Sequence, residues 1–152
     1  MLKYFSIILY LVSCLFSLNV NATDSLYLPA NIASYDKTAD DCYFNSDGSV
    51  TSGGSACTLY LPVPLPAEEY IYLGNAYYYD NSGSQTVTVT LVRTTLSSNS
   101  YSNINTFTDT TTSSSVQNHI ILFFSDISSS YSYMIKIDLN YGSEFRGILF
   151  SY

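Results

Sequence analysis

The chain has 152 residues, 47% hydrophobic and 16% aromatic, which is enough for one domain with its own core. Twelve acidic side chains against five basic ones give a formal net charge of −7, a balance that offers no basic surface to nucleic-acid phosphates or anionic lipid. Sixteen tyrosines stand among many Ser, Thr, Asn and β-branched residues, while Ala, Glu and Lys, the usual material of soluble helices, are scarce, so the composition is that of an all-β protein.

The N-terminal segment has the pattern of an export signal. Lys3 supplies the positive start, Tyr4 to Leu18 is apolar apart from Ser6, Ser13 and Ser17, and Val20-Asn21-Ala22 offers a cleavage site. Residues 1–22 are therefore expected to leave, making Thr23 the N-terminus of a single domain over 23–152, periplasmic or secreted. Two alternatives use the same residues. A retained membrane anchor needs about 20 apolar residues and this run is shorter. Lipidation at Cys14 requires the apolar core to stop there, yet it continues through Leu15, Phe16 and Leu18.

In the mature chain Leu26 and Leu28 alternate with polar neighbours in a short first strand stopped by Pro29, and Ala30 to Asp41 has no apolar period. A short piece comes next at Cys42 to Phe44, then a Gly/Ser-rich segment from Asn45 to Ser55. Cys57, Leu59 and Leu61 alternate with Thr58 and Tyr60, and Pro62, Pro64 and Pro66 confine their stretch of chain to an edge or to a path between sheets. Tyr70 to Tyr79, the turn Asp80 to Ser84 and Gln85 to Leu96 have the pattern of a hairpin, with Gly74 as a bulge. Val87, Val89 and Leu91 face one way there and Thr86, Thr88 and Thr90 the other. Ser97 to Asn103 is expected as a polar connection, Asn105 to Thr108 as a weak edge strand and Asp109 to Ser115 as an exposed stretch. His119 to Phe124 fits a strand buried on both faces, Tyr131 to Leu139 alternates, Asn140 to Glu144 turns, and Phe145 to Tyr152 closes the chain. Seven or eight such strands predict a two-sheet antiparallel β-sandwich, Ig-like or jelly-roll-like.

With Cys14 removed, Cys42 and Cys57 remain as one pair, and a disulfide is their simplest outcome in an oxidising compartment. The run Leu65-Pro66 with Ile71, the segment Tyr77-Tyr78-Tyr79-Asp80-Asn81-Ser82 with Val87, Val89, Leu91 and Arg93, and the late strands from Tyr133 to Tyr152 resemble a recurring, largely uncharacterised β-sandwich domain of secreted bacterial proteins. The resemblance spans roughly Tyr60 to Tyr152 and rests on structural motifs. Glu68-Glu69 departs from it, standing where such domains often carry a Gly-Ala turn. It implies the sandwich and no chemistry.

Catalytic patterns are scarce. His119 is the single imidazole, sits in an apolar strand and has no G-x-S-x-G elbow to serve, and Glu68 and Glu69, adjacent in an extended chain, face opposite sides. Asp40, Asp41, Asn45 and Asp47 gather oxygen ligands beside Gly48 but miss the spacing of a calcium loop and are ordinary turn material. No catalytic residue, cofactor or metal is expected. The aromatic excess points instead to binding through Tyr77, Tyr78 and Tyr79, whichever face outward. The expectation is an exported non-enzymatic sandwich acting as an accessory or structural component of a bacterial envelope or surface assembly, with a protein partner. A secreted carbohydrate-binding or adhesion module is the second reading. A small outer-membrane barrel is the third, suggested by Arg146, Ile148, Phe150 and Tyr152 at the aromatic C-terminus; in the first two readings the mature chain has no membrane span.

Overall fold

The structure, a computed structural model, describes residues 24–35, 41–54, 56–65, 69–80, 87–98, 100–109, 113 and 115–152. The expected signal segment with Cys14 and Thr23, together with Asp40, Pro66, Glu68 and the turn at 81–84, lies outside the described residues. Among the described residues ten strands occur in chain order: β1 (Ser25–Pro29), β2 (Cys42–Phe44), β3 (Val50–Ser52), β4 (Cys57–Pro62), β5 (Tyr70–Tyr79), β6 (Val87–Thr95), β7 (Tyr101–Asp109), β8 (Gln117–Asp126), β9 (Tyr131–Leu139) and β10 (Glu144–Ser151). Among the described residues a 3₁₀ turn at Ala30–Ile32 follows β1.

The strands form two open antiparallel sheets. One is ordered β2-β3-β10-β5-β8, with β1 also pairing β10, and the other β4-β9-β6-β7. Alternation decides which side chains enter the space between them. Val87, Val89 and Leu91 of β6 and Ile135, Ile137 and Leu139 of β9 are fully buried from one side, and they meet Ile71, Ala76 and Tyr78 of β5 and Phe145, Ile148 and Phe150 of β10 from the other. Each such large apolar side chain stabilises the fold by about 1.5–3 kcal/mol relative to exposure. The two-sheet sandwich is therefore as expected, and it replaces the barrel. The aromatic C-terminal strand lies inside an open sheet, between β5 on one side and β1 and β3 on the other.

The local hairpin is corrected. β5 pairs with β10 and β8, while β6 pairs with β9 and β7, so the two strands belong to different sheets. Both strands bury one face, and those faces meet across the core instead of lying side by side. Asp80 is itself fully buried; Ser143 Oγ donates to its carboxylate at 3.4 Å and the Ser113 N–H donates to its carbonyl at 2.9 Å. Gly74 has a different role from the bulge expected of it, since the register shift falls between Ile71 and Leu73. It lies on the core side of β5, where an added Cβ would sit 2.5 Å from Phe123 Cε2 and 2.9 Å from Ile148 Cδ1; its missing side chain is what lets those two residues close over the strand.

Three further expectations change. The Gly/Ser-rich segment contains β3, because Val50 is fully buried and its strand adds to β10. The expected weak edge strand at Asn105 to Thr108 is longer: β7 begins at Tyr101, taking in the last three residues of the polar connection, and its nine residues are held by β6, whose ladder compensates for a poor intrinsic pattern. β8 is buried on one face only: Ile121 and Phe123 point inward, whereas Ile120 and Leu122 are 59% and 49% exposed on an edge strand. The disulfide between Cys42 and Cys57 is present, with the Cα atoms 5.2 Å apart. It joins β2 of one sheet to β4 of the other.

Candidate functional site

The outer face of the four-stranded sheet carries a groove of about 660 Å³. It arises directly from the alternation that buries Val87, Val89 and Leu91, which turns Thr88, Thr90, Val92 and Thr94 outward. Register then places these residues in rows across the sheet. Tyr60 of β4, Lys136 of β9, Thr90 of β6 and Thr106 of β7 form one row; Thr58, Asp138, Thr88 and Thr108 form the next. Pro62, Met134, Val92 and Asn103 form a third, after which Ser132, Thr94 and Tyr101 line up. At a strand spacing of about 4.8 Å, a row of four spans about 14 Å.

The rows are chemically ordered. Tyr60 stands at the β4 margin and Tyr101, 77% exposed, at the β7 margin. Val92 is 5% exposed although it points away from the core, and with Met134 it gives the groove an apolar floor. Thr88 and Thr108 hydroxyls lie 3.2 Å apart, as do those of Thr90 and Thr106. Thr58 donates to Asp138 Oδ1 at 2.9 Å and the Lys136 ammonium meets Asp138 Oδ2 at 2.9 Å. The hydrogen bond to Asp138 raises the Lys136 pKa above the ordinary lysine value against partial desolvation, and the neighbouring charge of Asp138 and the Tyr60 and Tyr101 phenols act in the same direction. Such a surface presents aromatic edges, an apolar strip and fixed donors and acceptors to a ligand that has both apolar faces and hydroxyls.

The tyrosines singled out from sequence separate. Tyr78 faces the core, fully buried, and its hydroxyl donates to Asp109 Oδ2 at 2.5 Å, linking β5 to β7 across the sandwich. It is thereby removed from any outer binding surface. Tyr77 and Tyr79 are half-buried on the outer side of β5. Tyr77 borders a shallower hollow of about 400 Å³ with Tyr27, Val116, Arg146 and Leu149. His119 is exposed at the sandwich edge, its ring stacked on Phe107 with centroids 3.9 Å apart. Asn45 Nδ2 donates to the Ser49 and Thr51 hydroxyls, and Asp47 Oδ1 accepts from the Ser49 N–H and hydroxyl, so these side chains close their own turn. Arg93 lies 4.8 Å over the Tyr131 ring, on the opposite face of β6 from the groove.

Sequence reasoning passed over Tyr60, Tyr101, Lys136 and Asp138. A signal was there: Lys136 and Asp138 share the outward parity of β9, as Thr88 and Thr90 share that of β6. What no pattern supplies is which strands neighbour one another, so separate outward residues give no hint of forming rows.

No protein-family model matches the chain, and no curated protein matches it. Solved structures do. The C-terminal CBM6 of LamC, a marine laminarinase from Zobellia galactanivorans, is 11% identical with a TM-score of 0.53, the alignment covering 85% of this chain and 100% of that one. The carbohydrate-binding module CBM36, solved with calcium and xylotriose, is 11% identical with a TM-score of 0.53 over 83% and 99% of the two chains. The isomalto-dextranase of Arthrobacter globiformis T6, solved with panose, is 13% identical with a TM-score of 0.55 over 84% of this chain, which spans only 23% of that enzyme. At these identities the likeness is one of fold, and it places the two-sheet sandwich seen here among structures that include carbohydrate-binding modules.

Proposed function

We propose that the protein binds carbohydrate through the outer groove of the four-stranded sheet, as a binding module and not as an enzyme. The observation that carries the reading is the groove itself, with a tyrosine at each margin, threonine hydroxyls and an ion pair in register between them, and an apolar floor. Sugar rings offer C–H faces to aromatic side chains and hydroxyls to such donors and acceptors. The fold shared with carbohydrate-binding modules supports the same reading. Tyr101 is the residue to test, because its exposure means that truncation removes contact area and leaves the core untouched. Tyr101→Ala is expected to weaken binding to the glycan selected on an array about tenfold, or about 1.4 kcal/mol, by isothermal titration calorimetry. Tyr77→Ala, on the other sheet, is expected to leave that affinity within twofold of wild type. Equal affinities for wild type and Tyr101→Ala would place the ligand elsewhere.

A second reading, a protein-binding role in an envelope or surface assembly, is favoured by one observation. Tyr27, Leu149 and Ile120 lie in one transverse row on the outer face of the six-stranded sheet, with Asn75 between the last two. Either role requires export. We propose cleavage after Ala22, and the intact mass of protein recovered outside the cytoplasm is expected to correspond to a chain beginning at Thr23; an acylated species beginning at Cys14 would replace this with a lipid anchor.

A further inference from the structure

We propose that the groove selects neutral over anionic glycans, and that the Lys136–Asp138 pair sets this preference. The inference rests on the carbohydrate reading and adds the charge class of the ligand. Among the described residues lining the groove, Lys136 and Asp138 are the charged ones. Two positions apart on β9, they share one face, and their 2.9 Å contact cancels the cation locally. Asp138 is held in place, since one carboxylate oxygen accepts from Thr58 and the other faces Lys136. Both side chains are 36% exposed, so a ligand reaches them.

A uronate or sulfate entering the groove must therefore share Lys136 with an anion already bound to it, and it approaches Asp138 as a like charge. Like charges brought together at a binding surface oppose the wrong partner. Sugar hydroxyls meet no such opposition, because the ammonium retains protons to donate and Asp138 retains lone pairs to accept. The chain's formal net charge of −7 adds a weaker, salt-screened repulsion of polyanions at longer range.

The test is affinity gel electrophoresis in 0.15 M salt against neutral xylan, mannan and laminarin and against anionic polygalacturonate and alginate. Wild type is expected to be retarded by at least one neutral polymer, with affinity for both anionic polymers at least about tenfold weaker. Asp138→Asn keeps the side-chain shape and an acceptor for Thr58 while freeing Lys136, so it is expected to raise the anionic-to-neutral affinity ratio about tenfold. Asp24→Asn changes net charge equally at an exposed site on the N-terminal side of β1 and is expected to leave the ratio unchanged. Circular dichroism melts establish that each variant is folded; should Asp138→Asn not fold, Lys136→Gln, expected to lower the ratio, replaces it. Tighter binding of wild type to an anionic polymer, or the same shift from Asp24→Asn as from Asp138→Asn, overturns the role of the pair. Retardation by neither class overturns the carbohydrate reading itself, and this inference with it.

Discussion

Tyr78→Ala is expected to lower folding stability by about 4 kcal/mol, the range of large aromatic truncations in a packed core, measured as a shift of the urea unfolding midpoint. Tyr78 is fully buried among the facing strands and its hydroxyl holds Asp109, itself 7% exposed, at 2.5 Å. Truncation removes the ring, leaves a cavity and deprives a buried carboxylate of that donor. Tyr78→Phe isolates the last of these and is expected to cost about 1–3 kcal/mol. Burial, then the hydrogen bond to Asp109 and the charges of Asp109 and Asp80, raises the Tyr78 pKa well above the ordinary phenol value of 10.0. The unfolded chain therefore loses this proton first as pH rises, so the contribution is complete below pH 10.0 and is lost above it. Stability measured from pH 8 to pH 11 is expected to fall less steeply in Tyr78→Phe than in wild type; parallel profiles would show that the phenol does not govern the alkaline limit.

Cys42→Ser is expected to cost 2–4 kcal/mol, about 3 in the chain-entropy description of a loop of this length. The separation of 15 residues sets the entropy, but placement sets what is lost: the bridge joins an edge of one sheet to an edge of the other, β2 being only three residues long. Each sheet retains its own ladders, so far-UV circular dichroism is expected to keep its β signature below the unfolding transition. The remaining thiol of Cys57 is fully buried and behaves there as a small apolar group. Identical unfolding midpoints for the oxidised wild type and the variant would mean that packing of β2 and β3 against β10 closes the loop without help from the bridge.

Much of the strand inventory was legible because alternation with period two is a local property. Tyr133, Ile135, Ile137 and Leu139 are buried as their spacing requires, and the turn at Asn140 to Glu144 is where expected. The partners of each strand were not legible. The β5–β6 hairpin failed because turn residues signal a reversal without distinguishing a hairpin within one sheet from an arch between two. The expectation for β8 failed because a continuous apolar run looks the same in a central strand and in an edge strand with an exposed outer face.

The candidate site divides in the same way. Composition and the parity of side chains along a strand were enough to predict the all-β fold, and the Cys42–Cys57 bridge was expected from the cysteines that the export reading leaves. Which tyrosines matter depends on how the two sheets assemble. Tyr78 alternates like its neighbours, yet the pairing of β5 within the six-stranded sheet turns it inward toward Asp109, while Tyr60 and Tyr101, 41 positions apart, reach the two margins of one groove because β9 and β6 lie between β4 and β7. Strand order is fixed by how two sheets bury their inner faces against each other, a property of the whole chain that no local pattern encodes.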